Sequence, residues 1–384
     1  VRERCKIWVR KKISLSLSLS LSLSSISNDW THTDTKEEET KMVLNVDPVK
    51  MFKDDVHDEK IQTRLHCIKN LGALAKALGP EKTVSELMPA LLGTLQTPLQ
   101  TLSHETPTKH TNKNTEWFES AVEDELLFTG AQVLGDFLQY VGDASNGKLV
   151  LNILQMLCAT EETVVREAAV KSASNIARQM SPIESVNILS NVVKELSEAN
   201  WFTPRVSACK LLPVMLERLN LLSEDDAANA NEQCMKVFTS CCSDNTPMVR
   251  RAAAKTLGEF ATNIKNNDTL VKDVMPLIDR LLHDENTAIQ EITVDHIPTI
   301  SKLLNEESSR KYVLPIVKAC VSSPSWRRRR AVAKGMHSIA VSVGKDTAIE
   351  SIVPMMRMLL ADTEREVTCD AVSQLPGLCS LVGS

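Results

Sequence analysis

Glycine and aromatic residues are scarce in this chain: its 384 residues include 12 glycines, and Phe, Trp and Tyr together contribute 4%. Such a composition argues against an α/β enzyme and against a β architecture. An excess of basic charge is also absent, because the formal net charge is -5. We therefore expect no general nucleic-acid-binding role.

Catalytic and metal-binding motifs are absent from the sequence as well. It contains no G-x-S-x-G, no P-loop and no H-E-x-x-H motif, and its 8 histidines are dispersed. The 10 cysteines include no C-x-x-C pair and no histidine at a spacing that suits zinc. We interpret the cysteines as small apolar residues of a reducing compartment. These absences predict a protein that is not an enzyme and that holds no metal and no cofactor.

A turn that leads into an amphipathic helix is the clearest local pattern, in the segment D-N-T-P-M-V-R-R-A-A-A-K-T-L-G-E-F at residues 244–260. Asp244 is suited to cap the helix N-terminus, and Pro247 suits the first turn, where a missing N–H costs nothing. Helical spacing places a set of apolar residues on one face: Val249, Ala253, Leu257 and Phe260. That face must be buried against another element.

This pattern recurs about every 40 residues, which is the period of HEAT and armadillo solenoids. We call the position of Arg250 the marker and number the repeats by it. From repeat one to repeat eight, the marker residues are Arg64, Leu127, Arg166, Arg205, Arg250, Gln290, Arg329 and Thr368. Residues three positions after each marker are small apart from Val332, and those seven and ten positions after it are apolar. The sequence therefore predicts an all-α fold, a HEAT-repeat α-solenoid in which antiparallel helix pairs form a right-handed superhelix.

Residues 1–41 are expected to lie outside the solenoid, as a disordered or non-native N-terminal extension. Ser and Leu alternate from residue 14 to residue 24, which breaks any apolar run that a membrane span or a secretory signal needs. One alternative is a basic, Ser-rich transit peptide. The other is an untranslated nucleotide sequence that has been read as protein, with the true start at Met42. The solenoid of about eight repeats would then cover residues 42–384.

An inserted segment at residues 97–119 separates the two helices of repeat two. It is rich in Thr and Asn and shows no helical period, so it is predicted to be a mobile loop. It is either an added binding element that uses Trp117 and Phe118, or a splicing remnant or neutral expansion. Prolines are also expected inside helices: Pro89, Pro276, Pro315 and Pro354 in first helices, and Pro213, Pro298 and Pro376 as kinks in second helices.

Several longer motifs resemble one family specifically. They are E-E-T-V-V-R at 161–166, W-F-T-P-R-V-S-A-C at 201–209, S-D-N-T-P-M-V-R-R-A-A-A at 243–254, L-G-E-F-A at 257–261 and S-W-R-R-R at 325–329. They look like the scaffold (A) subunit of serine/threonine protein phosphatase 2A. The resemblance extends from residue 61 to residue 378, apart from the insert. That family has fifteen HEAT repeats arranged as a horseshoe, and this chain resembles the first eight.

The resemblance implies a mechanical adaptor. In the family, the turns inside successive repeats form a ridge, the N-terminal repeats hold a regulatory B subunit, and the C-terminal repeats hold the catalytic subunit. The implied partners are therefore regulatory B subunits of protein phosphatase 2A, with the catalytic subunit only if the chain continues past Ser384. No nucleic acid and no membrane is implied, and the implied location is the cytoplasm, with the nucleus as a second one.

This chain also departs from the family pattern. Gln290 and Thr368 replace the family's usual arginines, and Pro204 replaces its serine. Arg328 and Arg330 make the turn of repeat seven unusually basic. These departures, with the insert, are those of a divergent paralogue or of an imperfect gene prediction.

Candidate partner-binding residues lie in the turns inside the repeats. The marker arginines are expected mainly to bridge neighbouring repeats, with partner contact as the alternative. Trp201 and Trp326 stand in turns where a core would not place them, as interface anchors do. For Asp244 and its neighbours, a plain capping role is the alternative. The predicted partner-binding set is Glu161, Glu162, Trp201, Phe202, Arg205, Asp244, Thr246, Pro247, Met248, Arg250, Arg251, Trp326, Arg327 and Arg329.

A second hypothesis is a fragment of another HEAT-repeat adaptor, such as a nuclear-transport receptor. It predicts many more repeats and an acidic inner surface. The basic run at residues 327–330 suits phosphate or nucleic acid by residue type, but a solvated turn or contact with an acidic partner fits the overall charge better.

Overall fold

The structure is a computed structural model that describes residues 47–104, 113–142 and 144–383, with the side chains of residues 97–122 and 144 outside the description. Within these ranges the chain is built from helices and contains no strand, which confirms the predicted all-α solenoid class. The predicted extension at residues 1–41, with its start at Met42, lies outside the described residues.

The described helices fall into two compact regions, which are divided between residues 67 and 68. In chain order they are α1 Pro48–Val56, α2 Ile61–Lys69, α3 Leu71–Leu78, α4 Pro80–Lys82, α5 Met88–His104, α6 Lys113–Leu134, α7 Gly147–Cys158, α8 Thr163–Gln179, α9 Pro182–Ser197, α10 Phe202–Leu219, α11 Glu224–Cys242, α12 Pro247–Thr262, α13 Asn267–Thr269, α14 Met275–Leu282, α15 Thr287–Asp295, α16 Ile297–Ser301, α17 Glu306–Ser308, α18 Leu314–Val321, α19 Trp326–Val343, α20 Lys345–Thr347, α21 Val353–Leu360 and α22 Arg365–Val382.

The first region is described from residue 47 and contains α1. Asp47 caps this helix, because its carboxylate accepts a hydrogen bond from the Val49 amide at 2.9 Å. The apolar face of α1 is buried through Val49, Phe52 and Val56. The thiol of Cys67 donates to the Phe52 carbonyl at 3.7 Å, so this cysteine also belongs to the packed interior.

The second region is a succession of helix pairs, of which repeat four (α9 and α10) and repeat five (α11 and α12) are the most regular. The apolar positions of the repeat fill its core. Seven residues after each marker the side chain is buried in repeats one to seven, and ten residues after it the side chain is buried in repeats two to eight. Leu375 is half-buried because it lies in α22, which no described helix follows. The periodicity therefore identified the residues that hold neighbouring helices together.

The prolines in first helices are accommodated by wider helical turns. A π-helical turn stands directly before each of these helices: Thr83–Leu87, Leu270–Val274, Ser309–Val313 and Ala348–Ile352 precede α5, α14, α18 and α21. A proline ring clashes with the carbonyl four residues earlier, and for Pro276 that carbonyl belongs to Lys272, inside the π turn. The wider turn removes this conflict, so the first helices continue through their prolines.

The prolines in second helices behave differently from one another. α10 continues through Pro213 and α22 through Pro376. The helix of repeat six is interrupted at His296, and Pro298 is in the first turn of α16. Because a proline lacks an N–H, the first turn is the position where it costs least.

The predicted loop at residues 97–119 is wrong for its two ends. α5 continues to His104 and α6 begins at Lys113, so residues 97–104 and 113–119 have a helical backbone. Elongation from an already packed helix adds one hydrogen bond per residue and requires no apolar period, which is why the pattern failed to predict it. Residues 105–112 and the side chains of Trp117 and Phe118 lie outside the described part of the chain.

Candidate partner-binding ridge

The turns between the first and second helices form the candidate site. We call them the ridge: residues 159–162, 198–201, 243–246, 283–286, 322–325 and 361–364, with the first turn of the helix that follows each. Local side chains shape these turns. In repeat five, Asp244 Oδ1 accepts from the Thr246 amide at 2.8 Å, so this residue stabilises the turn and, contrary to the prediction, does not cap α12. Pro247 then takes the first position of α12.

The marker side chains fix each turn to the end of its own first helix. Helix C-termini leave carbonyls without partners, and the marker residue donates to the carbonyl six positions before it. The bonds are Arg166 Nη1 to Thr160 O at 2.9 Å, Arg205 Nη1 to Ala199 O at 2.9 Å, Arg250 Nη1 to Asp244 O at 2.8 Å, Arg329 Nη1 to Ser323 O at 2.9 Å, Thr368 Oγ1 to Asp362 O at 3.3 Å and Gln290 Nε2 to Asp284 O. Gln290 and Thr368 thus preserve this bond although they are not arginines.

Some marker arginines also bind the next repeat through a two-pronged contact, the Arg–Asp fork. The aspartate is six positions before the marker of that repeat. The pairs, with their Nε and Nη2 distances, are Arg205–Asp244 at 2.8 and 3.0 Å, Arg250–Asp284 at 2.6 and 3.2 Å, and Arg329–Asp362 at 2.6 and 2.9 Å. Bidentate arginine–carboxylate contacts are strong and directional, so they fix the register of successive turns.

The fork is missing where one member is replaced. Arg166 of repeat three faces a repeat whose equivalent residue is Ala199, and Gln290 of repeat six faces Ser323. These junctions have other contacts: Ser207 donates to the Cys158 carbonyl at 2.7 Å, and Ser325 donates to Glu291 at 2.8 Å. The ridge therefore combines forked junctions with unforked ones.

The forks also shift the pKa values of their acids. Burial raises the pKa of the Asp244 carboxyl, but the hydrogen bonds from Arg205 and Thr246 and the charge of Arg205 together outweigh burial and hold the pKa below its ordinary value. The same balance, with Arg250, lowers the pKa of Asp284. For Asp362 the hydrogen bond from Arg329 is the largest influence, and it lowers the pKa. All three residues are therefore carboxylates near neutral pH.

Apolar side chains are exposed on three consecutive turns of the ridge. Val164 is 56% exposed, Trp201 is 55% exposed and Met248 is 54% exposed. The ring of Trp201 lies against that of Phe202, with centroids 5.1 Å apart. Large exposed apolar residues beside arginines are typical of interface anchors.

The turn of repeat seven presents a different aromatic group. Trp326 is half-buried, less exposed than its turn position suggested, and the Arg327 guanidinium lies 4.8 Å from its ring centroid. Two further arginines of the basic run are paired with acids of this chain. Arg329 is in its fork, and Arg330 pairs with Glu366 and Asp370, each at 2.7 Å. This pairing agrees with a solvated turn better than with a nucleic-acid site.

The remaining predicted residues are spread along the ridge. Glu161 and Arg251 are exposed, and Glu162 is half-buried with its carboxylate 3.4 Å from the Val164 amide. Thr246 accepts from Arg205 Nη2 at 3.2 Å. The structure thus brings Arg205, Asp244 and Thr246 into one cluster.

Sequence reasoning missed the acids that complete the forks, Asp284 and Asp362, and the exposed Val164. A signal for the acids existed: an aspartate stands six positions before the marker in repeats one, five, six and eight. No comparable signal existed for Val164, because an apolar residue at a helix start has no fixed exposure.

The described residues show no group of three or more His, Cys, Asp or Glu side chains that could hold a metal ion. None of the helices in the described ranges is long and apolar enough to cross a bilayer.

Comparisons with known proteins are informative at two levels. Residues 234–264 match the HEAT repeat family, and residues 263–382 match the family described as PIK3R4-like, middle domain. Among solved structures, the match to Kap121p bound to Pho4p covers 90% of this chain and 39% of the Kap121p chain, with a TM-score of 0.57 and 14% sequence identity. The match to importin beta covers 92% of this chain and 42% of the importin beta chain, with a TM-score of 0.56 and 14% sequence identity. At these identities the structural matches show the fold alone.

Curated relatives at higher identity carry one kind of name. The regulatory (A) subunit of protein phosphatase PP2A from Schizosaccharomyces pombe is 30% identical over 77% of this chain and 45% of the relative. The protein phosphatase 2A scaffold subunit of Dictyostelium discoideum is 35% identical over 60% of this chain and 34% of the relative. The beta isoform of the human 65 kDa regulatory (A) subunit of serine/threonine-protein phosphatase 2A is 37% identical over 56% of this chain and 30% of the relative.

The chain spans less than half the length of these curated relatives. Its repeat pattern and its Arg–Asp forks between neighbouring turns nevertheless describe a HEAT-repeat solenoid, and its sequence similarity is to the subunits named above. The chain is a HEAT-repeat solenoid similar to the A, or scaffold, subunits of protein phosphatase 2A.

Proposed function

We propose that this chain is a non-catalytic scaffold that binds a regulatory B subunit of protein phosphatase 2A through its ridge. The proposal is supported by the names of its relatives, which are regulatory or scaffold subunits. In the family, the catalytic subunit is held by later repeats, so this chain binds it only in a form that contains them. A cytoplasmic location is part of the same proposal.

The observation that carries the proposal is the exposure of Val164, Trp201 and Met248 on consecutive turns whose charged groups are largely paired with each other. Because forks already use Arg205, Arg250 and Arg329, apolar side chains are left for a partner, together with the exposed Arg251 and Arg327. An apolar anchor ringed by polar groups is the usual arrangement of a protein-binding hot spot.

The experiment compares two methionines of equal exposure. Met248 and Met358 are both 54% exposed, but Met248 lies on the ridge and Met358 lies in the first helix of repeat eight. Met248→Ala and Trp201→Ala should each weaken binding of a purified B subunit by more than about 1 kcal/mol, whereas Met358→Ala should not. Equal affinities for all three variants and the unmodified chain would refute the ridge as the binding surface.

A buried residue supplies the stability control for that titration. Phe260 is fully buried and stacks on Phe238 with ring centroids 3.8 Å apart. Phe260→Ala should lower stability by about 3 to 5 kcal/mol, whereas Trp201→Ala should change it by about 0.5 kcal/mol or less. If Trp201→Ala melted as early as Phe260→Ala, its effect on binding would be structural.

A further inference from the structure

Arg166 is a buried cation whose guanidinium group is incompletely bonded. The residue is 7% exposed, and its Nε has no hydrogen-bond partner among the described residues. Nη1 donates to two turn carbonyls, of Thr160 and Glu161, and Nη2 donates to Thr163 at 3.3 Å. Burial also lowers the pKa of the Arg166 guanidinium, although Glu167 and Glu162 oppose that shift. A buried donor without an acceptor is costly, so this edge of the guanidinium needs an explanation.

The neighbouring repeats show what normally fills this place. In the Arg205–Asp244 and Arg250–Asp284 forks, a carboxylate from the next repeat binds the edge formed by Nε and Nη2. The equivalent residue opposite Arg166 is the half-buried Ala199, whose side chain has no acceptor. Arg166 therefore presents the arginine half of a fork, and the described residues supply no carboxylate half.

The junction also lies within the exposed apolar part of the ridge. Val164 is in the first turn of the helix that carries Arg166, and Trp201 follows Ala199 by two positions. The exposed Glu161 and Glu198 directly follow Thr160 and precede Ala199 in the sequence, but exposed acids of this kind do not preclude another carboxylate. The fork of Arg250 has the exposed Glu285 directly beside Asp284, and both acids bind the arginine.

We propose that a partner completes this fork: a carboxylate side chain of the bound regulatory B subunit binds the Nε–Nη2 edge of Arg166, in the place that Asp244 and Asp284 occupy at other junctions. The inference rests on the proposed function and specifies its partner chemistry. The partner presents an acidic residue next to an apolar surface that covers Val164 and Trp201. Arg166 thereby differs from Arg205, Arg250 and Arg329, whose carboxylates belong to this chain.

The test supplies the missing carboxylate within the chain. Ala199→Asp should form the fork with Arg166, raise the melting temperature by about 2 °C or more, and exclude the partner's carboxylate by occupation and repulsion. Affinity for a purified B subunit, measured by titration of the full chain, should then fall by roughly tenfold or more. Ala199→Asn introduces a side chain of nearly the same size as aspartate but without its charge, so it should weaken binding much less than Ala199→Asp.

Asn187→Asp is the matched charge control, because Asn187 is exposed and lies in α9, the first helix of the same repeat, outside the ridge. It should leave the affinity within about twofold of the unmodified chain, since exposed charges are screened by salt. Equal losses for Ala199→Asp and Asn187→Asp would overturn the inference as a general charge effect. A stabilised Ala199→Asp variant with unchanged affinity would also overturn it, and so would an unchanged melting temperature. If the unmodified chain bound no member of a panel of B subunits, the proposed function would fail first and this inference with it.

Discussion

A guanidinium group has several N–H donors in a rigid fork, and Arg250 uses them in every direction. Its Nη1 binds the turn of its own repeat, its Nε and Nη2 bind Asp284, and its Nη2 also reaches Glu285 at 2.9 Å. Little of this side chain is left for a partner, whereas the adjacent Arg251 is exposed. Within the predicted partner-binding set, the structure thus gives Arg205, Arg250 and Arg329 a bridging role.

Removing one member of a fork should be costly, because it leaves a buried charge without its partner. Asp284→Ala should lower the free energy of unfolding by about 2 to 3 kcal/mol. Ser323→Ala is the matched control, since Ser323 has the same position in repeat seven but faces Gln290. It should change stability by about 0.5 kcal/mol. Urea unfolding followed by circular dichroism measures both, and equal effects would mean that the fork does not contribute.

The forks should also make stability fall in acid. The pKa values of Asp244, Asp284 and Asp362 are lower in the folded chain than the ordinary value of about 3.9. The unfolded chain therefore binds protons more readily, and the stability from these acids is present above about pH 4 and is lost as the pH falls through their folded pKa values. Asp284→Asn should show a shallower decline of the urea midpoint below pH 4 than the unmodified chain. Parallel declines would contradict the assignment.

Close contact between second helices depends on small residues. Gly335 of α19 lies so near Pro298 of α16 that a methyl group there would overlap the proline ring. Gly335→Ala should therefore destabilise the chain by about 1 to 3 kcal/mol through overpacking. Gly93→Ala in α5 should instead stabilise it by about 0.5 to 1 kcal/mol, because the added methyl group meets no atom of the described residues within 4 Å and Ala favours the helix. Opposite signs in urea unfolding are the expected result.

The sequence was sufficient for features that depend on nearby residues. The period identified the buried positions such as Leu257 and Phe260, and the bond from the marker spans only six residues. The forks join residues 33 to 39 positions apart, so they require the stacking of repeats and could be inferred only by aligning the repeats with each other. The exposure of the turn tryptophans was predicted less accurately than the buried positions. Trp201 is exposed as predicted, but Trp326 is half-buried beneath Arg327.

A solenoid transmits stability only between neighbouring repeats, so its weakest junctions decide how it unfolds. Repeats four, five and six are connected by consecutive forks, and repeats seven and eight by another. The junctions of repeats three with four and six with seven lack one. We therefore expect unfolding in blocks, with repeats four to six as one cooperative block. Hydrogen exchange of the intact chain measures this, and uniform protection across repeats three to eight would contradict it.

The unforked junction between repeats six and seven can be closed by design. Ser323 already accepts from the Ser325 amide at 3.2 Å, as Asp244 does from Thr246, so an aspartate fits this turn but a serine is too short to reach the marker. Gln290→Arg alone would bury an unpaired cation, and Ser323→Asp alone an unpaired anion, so each should destabilise the chain.

The double variant should restore the fork and be more stable than the sum of the single changes predicts. The coupling should amount to about 1 to 3 kcal/mol, the range of directly contacting pairs. Because repeats six and seven would then be joined like repeats five and six, their hydrogen-exchange protection should also converge. Additive effects of the two substitutions would show that the turns do not approach closely enough in solution, and the division of the solenoid into blocks would then need another cause than the missing fork.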